Sequence, residues 1–250
     1  MDGLKKQLTK ELQQNFNVKI MDTLSWSLPV HSIEIEFQTV MRTKMDILMK
    51  MILIAFGKAE IETAKELSDI LLVEQLFIHD LIDKMSRTGL IIKRDSAFIL
   101  TDAGSQQLEA GVFEHEPKTG SKKALFSPCH LSFLTGEPGS ISYEEEEVYR
   151  FRDEFSDWDV TSLEETVLKK ALKTMGVESS EGNVQIVVSE IVSASEQQID
   201  LVPCIEFRLH NVAEDLMYAR VWNTLSEQWD ETLEAQLNEK ERIKWREIYL

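Results

Sequence analysis

A chain of 250 residues and 28.8 kDa, 43% hydrophobic and 28% charged, has the composition of an ordinary globular protein with a buried core, which excludes wholesale disorder and a membrane bundle. Twenty-seven basic residues stand against forty-four acidic ones, and the imbalance is uneven: sixteen against eighteen up to Leu125, eleven against twenty-six beyond it. So acidic a second half repels DNA phosphates and places any nucleic-acid contact in the first half.

Two cysteines, Cys129 and Cys204, allow neither a disulfide framework nor a four-cysteine zinc site and fit a reducing compartment. The opening MDGLKKQLTKELQQNF has no apolar core, and the best apolar run, 45–56, is short and carries Asp46 and Lys50. The expectation is a cytoplasmic protein without a membrane span.

In chain order, residues 3–16 read as a short amphipathic helix with Leu4, Leu8, Leu12 and Phe16 on one stripe. Two strands follow, 18–26 and 32–40, separated by Leu28, Pro29 and Val30. The second alternates Ile33, Ile35 and Phe37 with Glu34, Glu36 and Gln38. Over 42–56, Met45, Leu48, Met49, Ile52 and Phe56 keep helical spacing while Ile47, Met51 and Ile54 broaden the stripe nearly all round, so this helix should be mostly buried. A second helix carries Ile61, Ala64, Leu67 and Leu71. A third, from Glu74, carries Leu76, Phe77, Leu81, Ile82 and Met85 and stops at Gly89. Short strands at 90–92 and 97–100 flank the polar tip Lys93 to Ser96, and Thr101 is placed to cap another helix.

The order helix, helix, helix, strand, tip, strand, helix resembles the winged helix-turn-helix superfamily, on the residues AKELSDILLVEQLFIHDLIDKMSRTGLI followed by FILTDAG. The features that carry it are Ala64 to Leu67, the Gly89–Ile91 step, and Leu100 to Gly104. The resemblance spans 42–110 and leaves the rest of the chain unassigned. It implies either a DNA-binding module, with the third helix in the major groove and the wing on the backbone, or a protein-docking module like the acidic winged-helix subunits of chromosome-organising, transcription and sorting complexes.

Residues 111–143, with Pro117, Gly120, Pro128, Gly136, Pro138 and Gly139, read as a loop-rich linker. Beyond it, 144–155 and 162–175 read as helices, and 184–193 and 199–209 as a β-hairpin about the polar turn 194–198. A long terminal helix holds Trp222, Leu225, Trp229, Leu233 and Leu237 on one stripe before Trp245, Ile248 and Tyr249. The acidic run Glu144 to Glu147 reads as a solvated face or a lure for a basic partner. The expected class is therefore α+β: an N-terminal helix and strands (1–40), a winged-helix domain (41–110), the linker, and an acidic α+β domain (144–250).

For nucleic acid, the candidate contacts are Gln75, His79, Lys84 and Arg87 on the third helix, Lys93 and Arg94 at the wing tip, and Arg42 and Lys44 at the start of the domain's first helix. Against them stand Glu74, Asp80 and Asp83, and 41–108 is balanced at nine basic to ten acidic, unlike a dedicated DNA reader. For a protein partner the candidate anchors are Phe77, Ile78, Trp222 and Trp229.

The histidines His31, His79, His115, His130 and His210 show no metal-ligand spacing, and no phosphate-binding glycine loop or nucleophile elbow is present. Cys129 and His130 adjoin, but sequence neighbours in extended chain point apart. Cys204, beside Val202 and Ile205, reads as core. No metal, cofactor or catalytic residue is expected. Three readings stand: a non-catalytic docking subunit or adaptor in a nucleic-acid-handling assembly, a DNA-binding transcriptional regulator whose C-terminal domain dimerises or senses a ligand, and an enzyme of unrecognised family.

Overall fold

The computed structural model describes residues 2–136, 147–155 and 157–250. In chain order these form α1 (Asp2–Leu12), β1 (Val18–Lys44), α2 (Ile47–Lys58), α3 (Ala64–Leu71), α4 (Gln75–Arg87), β2 (Ile91–Arg94), β3 (Ala97–Leu100), α5 (Asp102–Ala110), β4 (Val112–Glu114), β5 (Lys118–Ser127), β6 (Ser132–Leu134), α6 (Glu165–Thr174), β7 (Ser179–Glu181), β8 (Val184–Asn211), β9 (Leu216–Asn223), β10 (Gln228–Trp229) and α7 (Glu231–Tyr249). The chain is α+β. One sheet runs β10-β9-β8-β1-β5-β6, with β4 on β1 and β7 on β8, and β2 pairs β3 in a separate hairpin.

Two compact units divide the chain, and each is discontinuous: residues 1–35, 123–163 and 194–250 make the first, residues 36–122 and 164–193 the second. The long strands β1 and β8 contribute a part to each. In the first unit, Trp26, Leu28, Val30, Val202, Cys204, Met217, Ala219 and Val221 form a core with Leu233, Leu237 and Trp245 of α7. A smaller cluster joins Leu8 of α1 to Ile205, Phe207 and Leu209. Consecutive β8 residues thus fall in different clusters, as the period-two pleat requires.

The second unit buries Met45, Met49, Ile52, Leu53, Phe56, Ile61, Leu67, Ile78, Ile82, Met85, Leu90, Ile91 and Phe113 together. Local chemistry fixes its helix ends. Asp46 caps α2, accepting from the Leu48 and Met49 N–H groups at 2.8 and 3.4 Å. Thr63 and Glu66 form a reciprocal cap on α3: the Thr63 hydroxyl accepts from Glu66 N–H and donates to its carboxylate. At the end of α4, Gly89 takes φ +71°, which lets the Leu90 N–H reach the Met85 carbonyl and the Gly89 N–H reach that of Ser86. Thr101 caps α5, accepting from Gly104 N–H at 3.0 Å while donating back to the Gly89 carbonyl at 2.7 Å.

Several sequence expectations need correction. The helix expected over 3–16 ends at Leu12, and the strands expected over 18–26 and 32–40 are one strand: Trp26, Leu28 and Val30 are all buried, so the alternation runs through Pro29. The expected hairpin over 184–209 is likewise one strand, β8. The polar run 194–198 holds no Gly, Asn or Asp to take a left-handed φ. The reversal comes instead after Asn211, whose side chain accepts from Ala213 and Glu214 N–H and where Asp215 has φ +50°.

Trp222 and Trp229 lie on β9 and β10, not on a helix. α7 begins only after Asp230, because Met217, Ala219, Val221 and Asn223 are buried at period two. Residues 111–136 hold β4, β5 and β6 rather than loop. Described residues 147–155 form turns and a short 3-10 helix rather than an α-helix, Tyr149 N–H donating to Ser27 C=O and Ser27 N–H to Glu147 C=O. Glu144 to Glu146 of the acidic run, Pro138 and Gly139 lie outside the described residues.

Candidate functional site

The residues singled out by sequence fall mostly on the second unit, around α4. Its buried face is Ile78, Ile82 and Met85; its solvent face presents Gln75, His79 and Arg87 together with Glu74, Asp80 and Asp83. His79 Nδ1 pairs with Asp83 Oδ2 at 3.2 Å on that face. Ile78 is fully buried, so it packs the core and is not a docking anchor. Phe77, one residue earlier, is 59% exposed.

Phe77 belongs to an apolar group at the α3–α4 corner with Ile70, Leu72 and Leu76, of which Leu72 is 90% exposed. Leu72 ends α3 with φ +54°, a left-handed conformation that costs a branched side chain about 1 kcal/mol. A second exposed group lies along α2: Ile47, Met51 and Ile54, at spacings of four and three, face solvent rather than core. The helix expected to be buried nearly all round therefore leaves one apolar stripe uncovered. Isolated exposed leucines are ordinary, but contiguous ones mark contact surfaces.

Of the cationic candidates, Lys93 and Arg94 are exposed beside the tip residues Asp95 and Ser96, both at positive φ, and Lys93 Nζ lies 5.1 Å from the Phe98 ring centre. Arg42 and Lys44 lie at the end of β1 rather than on the helix that follows. Arg42 is paired with Glu114 across the β1–β4 ladder at 2.7 Å. Lys84 is half-buried over the Phe113 ring at 4.7 Å, and Arg87 is 3.7 Å from Glu116. The candidates thus divide among a wing tip, a helix face and a strand end.

In the first unit, Trp222 and Trp229 pack edge to face at 5.3 Å, half-buried. The Trp229 Nε1–H donates to Glu11 of α1, and Arg220 stacks on its ring at 4.4 Å. Both rings already have intramolecular partners and do not stand out as anchors. The sequence signal that would have placed them is the period-two run from Met217 to Asn223.

A Ser-His-Asp array in this unit escaped sequence reading because Asp230 lies a hundred residues beyond His130, while Ser127 is only three residues before it. Burial opposes the Asp230 charge, but hydrogen bonds and charge from His130, with the Asn223 amide and Leu233 N–H, outweigh it and hold the carboxyl below its usual range. An ionised Asp230, 2.9 Å from His130 Nε2, requires the proton on Nε2, and His130 Nδ1 lies 2.7 Å from the Ser127 hydroxyl. Ser127 has no exposed surface, and Asp230 is at the same time the N-cap of α7. The array therefore ties the β5 end to the start of α7 and presents no nucleophile to solvent. Beside it, burial pushes the Cys129 thiol up to about 11, so it too is unreactive as a nucleophile. Cys204 is core, as expected.

A second buried network surrounds Glu206, which has no exposed surface. It accepts from Trp26 Nε1 at 2.8 Å, from both Nη atoms of Arg150 at 2.8 and 3.1 Å, and from Arg208 Nε at 3.1 Å. Arg208 continues to Asp22 and the Tyr249 hydroxyl, so the last turn of α7 is fastened to β1. Every oxygen of the buried carboxylate is used, as a buried charge demands. Among the described residues no three His, Cys, Asp or Glu side chains gather as a metal site, and no helix is long and apolar enough to cross a membrane.

No family model, no curated protein and no solved structure matches this chain.

Proposed function

We propose that the chain is a non-catalytic interaction protein in which α2 to α5, with the β2–β3 hairpin as wing, is a winged-helix module that docks a protein partner, as a subunit or adaptor of a nucleic-acid-handling assembly. The observation that carries this reading is the surface of α4 and its preceding corner. Exposed Ile70, Leu72, Leu76 and Phe77 stand where a docking anchor is wanted, next to Glu74, Asp80 and Asp83, which would face phosphates in a groove. Like charges brought to close range at an interface cost several kcal/mol, whereas apolar side chains at a corner gain from burial.

A second reading, a DNA-binding regulator, is favoured by one observation: Lys93 and Arg94 are exposed at the wing, and Gln75 at the start of α4. Two measurements separate the readings. The first is anisotropy of a labelled duplex from low to physiological salt, with wild type and Lys93→Glu plus Arg94→Glu. The docking reading expects no saturable binding by either. The second places a photo-crosslinking residue at Phe77 and, as control, at exposed Lys65. Docking expects a discrete crosslinked protein from position 77 alone, lost when Leu72 and Leu76 are changed to Ser with the melting temperature unchanged. Wild-type duplex binding that falls steeply with salt and disappears in the charge-reversed variant overturns the docking reading.

A further inference from the structure

Within the second unit, a cavity of about 360 Å³ opens between the last turn of α4 and the β1, β4 and β5 segments of the same unit. Its wall is apolar where Met41, Phe113 and Ile186 line it. Around that wall stand three cations, Lys84, Arg87 and Lys118, against one carboxylate, Glu116. On a chain of net charge −17, a pocket with a surplus of positive charge is a local reversal. Its volume is that of a small-molecule site, which is typically about 300–1,000 Å³.

The cations are available to a ligand. Lys118 is exposed, and Lys84 lies over the Phe113 ring rather than against a carboxylate. Arg87 and Glu116 are both mostly exposed at 3.7 Å, a loose pair that contributes little and yields to a better acceptor. The α4 carbonyls, which would repel an anion, are partly covered, since the Thr88 hydroxyl donates to the Lys84 and Met85 carbonyls at 2.9 and 3.3 Å. The His115 ring, 4.8 Å from that of Phe113, reports the local field: burial first, and then the charges of Lys84 and Lys118, hold its pKa below the usual value.

We propose that this pocket binds a small organic anion, its phosphate or carboxylate group against Lys84, Arg87 and Lys118 and its apolar body against Phe113, Met41 and Ile186. Neither the apolar wall nor the cationic rim alone accounts for the arrangement, and an amphipathic anion uses both. The site lies at the C-terminal end of α4 and does not rest on the docking reading, which concerns the α3–α4 corner.

The test is a titration of the isotopically labelled full chain, followed by NMR, with phenyl phosphate, benzoate, inorganic phosphate, neutral benzamide and a short single-stranded oligonucleotide. Saturable shifts at Phe113 and His115 with phenyl phosphate or benzoate are expected. Whichever of the two binds more tightly identifies the charged group. Inorganic phosphate should bind more weakly and benzamide not at all. The pKa of His115 should rise on saturation, by about half a unit or more, because a bound anion favours its protonated form. Arg87→Gln combined with Lys118→Gln, both at exposed positions, should weaken binding about tenfold or more with the melting temperature unchanged. No saturable shift with any organic anion overturns the proposal, as does equal binding by the double variant or by benzamide. Binding of the oligonucleotide alone overturns it as well and assigns these cations to a nucleic-acid backbone.

Discussion

Replacing Asp230 by Ala should be among the most damaging single changes in the first unit. The carboxylate is buried and caps α7 through the Leu233 N–H, and it also accepts from the Asn223 amide at 2.9 Å and from His130 Nε2. Loss of the cap costs about 1 kcal/mol, and each buried donor left unpaired adds about 1–3 kcal/mol. The whole comes to about 3–7 kcal/mol, and its lower part, about 3–5 kcal/mol, is the range for breaking one side of a buried pair. All five tryptophans, Trp26, Trp158, Trp222, Trp229 and Trp245, belong to this unit, so tryptophan fluorescence during urea unfolding reads it selectively. With a slope of about 2 kcal/mol per molar urea, the midpoint should fall by about 1.5–3.5 M. Glu154→Ala breaks an exposed pair with Lys240, worth about 1 kcal/mol at most, and is the control. The charge itself is tested by pH. A carboxyl whose pKa is lowered on folding gives stability that is complete above its unfolded value of about 3.9 and is lost as pH falls through the lower folded value. The gap between wild type and Asp230→Asn should therefore close below about pH 4. A midpoint for Asp230→Ala no lower than that for Glu154→Ala, or a gap to Asp230→Asn that is flat with pH, refutes the reasoning.

In the second unit, Gly104→Ala should lower stability by about 1–3 kcal/mol or more, because the added Cβ would lie 2.2 Å from the Leu90 carbonyl oxygen and 2.7 Å from Leu100 Cδ1. Hydrogen exchange of α2 to α5 amides should accelerate, and unchanged protection would show that the approach relaxes at no cost. Leu72→Gly should raise stability by about 1 kcal/mol, since the side chain is exposed and its φ of +54° suits glycine; the same change should weaken docking, and a loss of stability would mean that Leu72 packs. Cys129, buried with its pKa raised to about 11, should react with a thiol reagent at mild alkaline pH about a hundredfold or more slowly than an ordinary thiol. Fast labelling of the native protein at Cys129 would contradict its burial.

The part of the fold that sequence displays best is the second unit's helical run, and the reasons are local. Thr63 with Glu66, Gly89 after Arg87, and Thr101 three residues before Gly104 each act within a few residues, so their chemistry can be read from spacing alone. The first unit is legible only in pieces because its determinants are distant in sequence. Asp230 finds His130 across a hundred residues, and Glu206 finds Trp26 across one hundred and eighty. No spacing rule announces such pairs.

The long strands misled for a related reason. Pro29 and the polar run 194–198 look like breaks when a strand is judged by composition. Yet β1 keeps its alternation through Pro29 because Leu28 and Val30 are both core, and 194–198 offers no residue suited to a left-handed turn. The same distinction governs the candidate sites. Phe77 and Ile78 have equal claims by hydrophobicity, and only the phase of α4 separates them, turning Ile78 into the core and Phe77 to solvent. Lys84 and Arg87, read by spacing as part of a DNA-facing surface, come to line a cavity with Lys118, thirty-one residues beyond Arg87. A helix face can be inferred from its own sequence, but a pocket requires the neighbours that tertiary structure brings to it. The anion site is for that reason the more independent test of the fold: it fails if β4 and β5 do not lie against the end of α4, whereas the exposed corner at Leu72 and Phe77 would survive many other arrangements.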